Sequence, residues 1–119
     1  MKINIIAQHF EVSNELERYI HQKVTKLQRY MPRSTRKMAH AEAHLTEHPA
    51  NSTNRYTCEI IIRLSHGEFV AKESTINMFA AIDIVEAKLR NQLLRFKQKH
   101  SQHIPHHVRL WRQIRGGNR

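Results

Sequence analysis

Two segments of the chain are rich in Lys and Arg and hold no acidic residue. Seven cations fall between Arg18 and Ala41, and nine fall between Ala87 and Arg119. A solvated helix normally mixes both signs, because a Glu and a Lys four residues apart stabilise it by roughly 0.2–0.5 kcal/mol. A surface of cations alone is suited to binding phosphate groups with release of their counterions. The sequence therefore predicts a polyanionic partner, with nucleic acid as the first choice.

A second group of residues, His40, Glu42 and His44, offers imidazole and carboxylate side chains at alternate positions of a predicted strand. These groups suit zinc or an acid–base pair, but a structural zinc site normally needs four ligands and no cysteine is near. The sequence also shows neither a Gly-rich phosphate loop nor a supported Ser/His/Asp or Cys/His arrangement. We therefore predict no catalytic residue, no metal and no cofactor. A metal-dependent nuclease is the enzymatic alternative.

The overall composition narrows the class of protein further. The formal net charge is +10 and the pI is near 10.4, which favours anionic partners. Cys58 is the only cysteine and lies in an apolar alternation, so it predicts a buried thiol without a disulfide. The N-terminal MKINIIAQHF is too polar for a secretory signal, and no apolar run approaches the roughly 20 residues of a membrane span. We expect a cytoplasmic protein that does not bind membranes.

Hydrophobic periodicity and capping residues predict the elements that position these cations. Ser13 is a suitable N-cap for a first helix that Pro32 ends, and Asn77 is a suitable N-cap for a second helix. Between the helices, apolar residues alternate with a period of two, as in strands. The predicted elements are a strand over 2–9, a helix over 13–31, strands over 38–46, 56–64 and 68–74, and a helix over 77–100.

This order predicts an α+β fold, a β-α-β-β-β-α sandwich with two helices on one face of a four-stranded, mostly antiparallel sheet. Each helix has one apolar stripe, so both must cover the same face. Ala39, Ala41 and Ala43 on one side of the second strand indicate that a helix packs close to it. We expect one domain over 1–100, followed by a flexible basic tail over 101–119 that follows RNA when bound.

The two helices also carry motifs. The second contains Asn77-Met78-Phe79-Ala80-Ala81-Ile82-Asp83, then Lys88-Leu89 and Gln92-Leu93, and the first contains Lys23-Val24-Thr25-Lys26-Leu27 and Tyr30. Over about residues 1–100 the sequence resembles the family of ribosome hibernation promoting factors and ribosome-associated inhibitors, which includes protein Y and the sigma-54 modulation proteins. The motifs agree with that family in order, separation and charge.

The resemblance implies a fold similar to double-stranded RNA-binding domains. It also implies a hibernation factor whose partner is the small ribosomal subunit and its rRNA in intact ribosomes. Such a factor sits in the mRNA/tRNA channel near the decoding centre, blocks translation and stores inactive ribosomes in stationary phase or stress. We expect a monomer when free. Whether it promotes ribosome dimers stays open, because the tail matches neither a long member's second domain nor an acidic inhibitor tail.

The resemblance and the charge pattern together give the candidate RNA-binding residues. These are Lys23, Lys26, Arg29, Lys88, Arg90, Arg95, Lys97 and Lys99. The family usually has a basic residue where Asn91 stands, and a shift to Arg90 turns the side chain by about 100 degrees, so equivalence does not follow. In the tail, Arg109, Trp111, Arg112 and Arg115 are candidates for contact with RNA, the indole ring by stacking on a base.

A general double-stranded RNA-binding module is the alternative function. Such a module would bind any A-form duplex comparably through phosphates and 2′-hydroxyls. A hibernation factor should instead prefer intact small subunits.

Overall fold

The computed structural model describes residues 1–65 and 67–101. The strands are β1 (Lys2–Gln8), β2 (His40–Glu47), β3 (Tyr56–Leu64) and β4 (Gly67–Thr75), and the α-helices are α1 (Asn14–Lys26) and α2 (Met78–Ser101). Two 3-10 helices, Leu27–Tyr30 and Arg33–Met38, connect α1 to β2. The predicted order of strands and helices is confirmed.

The strands form one sheet in the order β1-β2-β3-β4. β1 runs parallel to β2, because α1 carries the chain back between them, and the other neighbouring strands are antiparallel. The register sets Ile3 beside Ala41, Ala41 beside Ile62, and Ile62 beside Phe69. Since alternate residues of a strand share a face, these side chains all lie on one side of the sheet.

Both α-helices pack on that side, and the hydrophobic core lies between them and the sheet. Its fully buried members include Ile20, Val24, Leu45, Ile60, Ile62, Ile82, Val85, Leu89 and Leu93. On β2, Ala41 and Ala43 are each 1% exposed, so their small side chains belong to the buried face of the sheet. The predicted α+β sandwich is confirmed.

The helices begin where the sequence predicts but the first ends earlier. The Ser13 hydroxyl accepts a hydrogen bond from the amide of Leu16 at 3.1 Å, and the Asn77 side chain accepts one from the amide of Phe79 at 2.8 Å. α1 ends at Lys26 and continues as the first 3-10 helix. Met31 is extended, because the residue before a proline is disfavoured in the α conformation. The second 3-10 helix then delays β2 to His40.

The exposed edge of the sheet at β4 is covered by α2. Gln92 Nε2 donates to the carbonyl of Val70 at 2.9 Å, and Lys88 Nζ donates to the carbonyl of Lys72 at 3.3 Å. An uncovered edge strand presents free backbone groups that pair with other chains. Polar side chains of α2 therefore protect this edge while its apolar stripe fills the core.

Candidate nucleic-acid interface

The contacts between α1 and α2 show that the two helices run side by side in the same direction. Near the start of each, the rings of Tyr19 and Phe79 meet edge-on with centroids 5.1 Å apart. One turn further along both helices, Lys23 Nζ lies 3.2 Å from Asp83 Oδ1. Further still, the 3-10 helix that prolongs α1 contacts α2.

Along both helices, the acidic residues come before most of the basic ones. Glu15 and Glu17 occupy the first turn of α1, whereas Lys23 and Lys26 occupy its last turn. After Glu86, α2 carries only basic residues among its charged ones. Acids at helix N-termini and bases at C-termini are each favoured by the helix dipole. Because the helices run in the same direction, their basic halves lie at the same end of the molecule.

Lys23 lies in the seam between the helices and is not a free cation. Its ammonium group pairs with Asp83, which also accepts a hydrogen bond from the Tyr19 hydroxyl, and it lies 5.6 Å from the centre of the Tyr19 ring. The hydrogen bond to Asp83 raises the pKa of Lys23, and the bond to the same carboxylate raises the pKa of Tyr19. Lys23 therefore keeps its charge, but Asp83 fixes its position.

Lys88 and Arg90 are held by acids as well. Lys88 Nζ lies 2.7 Å from Glu73 Oε1 on β4, and Arg90 Nη1 lies 3.4 Å from Glu86 one turn earlier in α2. Glu86 lies just before the acid-free segment. Its ion pair with Arg90, four residues later, therefore helps to stabilise α2. These cations are already partly neutralised and are oriented by the protein.

Three predicted residues differ from these in having no acidic partner among the described residues. Lys26 is the last residue of α1, Arg29 lies in the 3-10 helix that follows it, and Arg95 lies in the last third of α2. All three are exposed. They offer uncompensated charge to a ligand.

The remaining predicted contacts are less fully described. Lys97 is exposed on α2, whereas Lys99 belongs to the same helix but its side chain lies outside the described residues. The predicted tail contacts also lie outside the described residues: Arg109, Trp111, Arg112 and Arg115. The tail therefore stays a prediction.

Sequence reasoning missed the acids that hold the cations. Asp83 and Glu73 are distant in sequence from Lys23 and Lys88, so no local spacing reveals the pairs. Glu86 was detectable, because it precedes Arg90 by four residues.

His40, Glu42 and His44 lie on the open face of the sheet, away from the helices. Glu42 Oε1 lies 3.2 Å from His44 Nε2, and Glu42 Oε2 lies 3.0 Å from Arg63 Nη1. The bonds from His44 and Arg63 lower the pKa of Glu42. Within residues 1–65 and 67–101, no three His, Cys, Asp or Glu side chains are grouped to hold a metal ion. Glu42 thus belongs to an ion-pair network with Arg63.

Cys58 is fully buried, as its alternation predicts. Burial raises the pKa of its thiol to about 12, so it stays protonated and unreactive at neutral pH. In the part of the chain that the structure describes, we find no helix with the length and apolar character to cross a membrane.

Comparison with known proteins decides the family. The family model described as "Sigma 54 modulation protein / S30EA ribosomal protein" matches residues 3–101. The chain belongs to this family. The recognition based on the two helix motifs is confirmed.

Individual members of the family give the degree of similarity. The ribosome hibernation promoting factor of Azotobacter vinelandii is 27% identical over 99 residues, which cover 83% of this chain and 85% of that protein. The ribosome hibernation promoting factor of Escherichia coli strain K12 is 27% identical over 103 residues, covering 87% of this chain and all of that protein.

Solved structures agree with the fold. The crystal structure of the Thermus thermophilus protein Y N-terminal domain has a TM-score of 0.69 and 25% identity, and the likeness covers 81% of this chain and 99% of that one. A ribosomal subunit interface protein from Coxiella burnetii has a TM-score of 0.66 at 20% identity, covering 82% of this chain and 99% of that one. Both likenesses span nearly the whole of the compared chains.

Proposed function

We propose that this protein is a ribosome hibernation factor that acts in the cytoplasm. It is a monomer when free, and it binds the small ribosomal subunit in the mRNA/tRNA channel near the decoding centre. There it blocks translation and stores ribosomes in an inactive state during stationary phase or stress. The observation that carries the proposal is a family match over 3–101 together with the gathering of both helices' basic halves at one end.

The arrangement of charge suits rRNA. The major groove of an A-form RNA helix is too deep and narrow for side chains to read. A protein therefore contacts double-stranded RNA mainly through its phosphates and 2′-hydroxyls. Lys26, Arg29 and Arg95 are the unpaired cations that meet phosphates directly. Lys23 and Lys88 are held in place by Asp83 and Glu73, which reduces the side-chain entropy lost on binding. Binding releases counterions and needs no catalytic step.

Occupation of the mRNA/tRNA channel makes a specific prediction. Small subunits loaded beforehand with mRNA and a tRNA should bind the protein at least about tenfold more weakly than empty subunits, because both ligands require the same space; each tenfold corresponds to roughly 1.4 kcal/mol. Affinity is measured by fluorescence anisotropy of the labelled protein at fixed salt. Subunits loaded with an antibiotic that binds outside this channel are the control. Equal affinity for loaded and empty subunits would place the binding site elsewhere.

A further inference from the structure

The connection between α1 and β2 carries cations that the family motifs do not include. We call residues 29–37 the cationic corner. Its basic residues are Arg29, Arg33, Arg36 and Lys37, and it contains no acid. Arg33 and Lys37 are exposed, whereas Arg36 is half-buried. A run of surface cations is often only solvated. Whether this one can bind a ligand depends on the order of its backbone and on whether its charges are paired.

The cationic corner has a fixed backbone. Arg36 Nε donates to the carbonyl of Met31 at 3.2 Å, and its Nη2 lies 3.4 Å from the carbonyl of Arg29. Thr35 is only 3% exposed, and its amide and hydroxyl both donate to the carbonyl of Pro32, at 3.0 and 2.9 Å. Arg36 therefore stabilises the turn through its hydrogen bonds. The exposed side chains of Arg33 and Lys37 extend from this hydrogen-bonded backbone.

The charge of the cationic corner is uncompensated. Elsewhere in the described chain, acids form ion pairs with cations on the helices and the sheet. The acids in those pairs are Glu42, Glu47, Glu68, Glu73, Asp83 and Glu86. Within residues 1–65 and 67–101, none of the ion pairs involves Arg29, Arg33 or Lys37. An ordered, unpaired cationic surface is complementary to an anion supplied from outside.

The position of the cationic corner indicates that this anion is the phosphate backbone of RNA. The cationic corner begins within the 3-10 helix Leu27–Tyr30, which contacts α2, so it continues the basic end formed by the two helices. We infer that the cationic corner is a second phosphate-binding element, in which Arg33 and Lys37 contact the backbone of an RNA strand and Arg36 positions them. The inference rests on the proposed function and extends its RNA-binding surface beyond the helices.

The test combines Arg33→Ala with Lys37→Ala and measures affinity as a function of salt for two probes, isolated small subunits and an RNA duplex of about 20 base pairs. Each lost phosphate contact should reduce the slope of log affinity against log salt by roughly 0.7–0.9. The double variant should therefore lose about 1.4–1.8 from the slope with small subunits, and at least tenfold in affinity at low salt. Lys2→Ala with Lys72→Ala removes the same charge from the open face of the sheet and should leave the slope unchanged.

The positioning role of Arg36 is tested by Arg36→Lys, which keeps the charge but loses the planar fork that reaches two carbonyls. The same phosphates would then be contacted from a looser turn. We expect about three- to tenfold weaker binding with the wild-type salt slope. A purely structural role would lower the unfolding midpoint and leave the affinity of the folded protein unchanged.

Three outcomes would overturn the inference. The first is a double variant whose affinity and slope with small subunits both equal those of the wild type. The second is a loss of affinity without a change of slope, which would assign the corner to a ribosomal protein. The third concerns the case in which wild-type protein fails to bind small subunits, so that the proposed function fails. The inference about the cationic corner then fails as well if the double variant has the wild-type slope with the RNA duplex, or if the duplex is not bound.

Discussion

Replacing Lys26 and Arg95 by glutamate should weaken binding to the small ribosomal subunit by at least about 100-fold. Both side chains are exposed and lack an acidic partner among the described residues, so their charge is available to phosphates. A hydrogen bond to a charged group contributes roughly 1.5–3 kcal/mol, and each 1.4 kcal/mol is tenfold in affinity. The measurement is equilibrium binding of Lys26→Glu with Arg95→Glu to purified small subunits at near-physiological salt.

The control for this experiment reverses the same number of charges on the opposite face. The variant is Lys2→Glu with Lys72→Glu, and both of these exposed side chains lie on the open side of the sheet. This variant should bind within about threefold of the wild type, because long-range electrostatic effects are screened beyond a Debye length of roughly 8 Å. An equal loss in both variants would mean that net charge, and not the basic helix ends, governs binding.

Truncating the centre of the core should have the largest effect on stability. Leu89→Ala removes a side chain that is 0% exposed and packs between α2 and the sheet. Leucine-to-alanine changes at such sites cost about 2–5 kcal/mol, which is a large share of the roughly 5–15 kcal/mol that stabilises a small domain. Urea unfolding followed by circular dichroism gives the free energy of unfolding for each variant.

Leu94 provides a matched comparison on the same helix. It is 37% exposed, so Leu94→Ala removes fewer buried contacts and should cost less than about 1 kcal/mol. Equal losses for the two variants would contradict the assignment of the α2 stripe that contains Leu89 to the core. At temperatures where both variants are folded, neither should change the affinity for small subunits by more than a few-fold.

The elements of the fold were predictable because they depend on local sequence. The Ser13 and Asn77 caps, the alternation along Tyr56–Leu64 and the alanines of β2 each act within a few residues. The exception is the end of α1. The apolar spacing of Leu27 and Met31 fits an α-helix, but a 3-10 turn buries both side chains equally well.

The detailed charge arrangement was not predictable, because it depends on tertiary packing. Lys88 meets Glu73 only because α2 lies along β4, and Lys23 meets Asp83 only because the helices run in the same direction. A run of cations in the sequence therefore combines two populations. Lys23 and Lys88 are oriented by acids, whereas Lys26 and Arg95 remain available to a ligand.

The proposal that this protein recognises the small ribosomal subunit, and not RNA in general, is tested most directly by sedimentation. Purified protein is mixed with separated small subunits, large subunits or an unrelated RNA duplex at near-physiological salt, and the bound fraction is recovered. We predict saturable one-to-one recovery with small subunits and little with the other two. Equal recovery with all three would contradict the proposal and leave a general RNA-binding module.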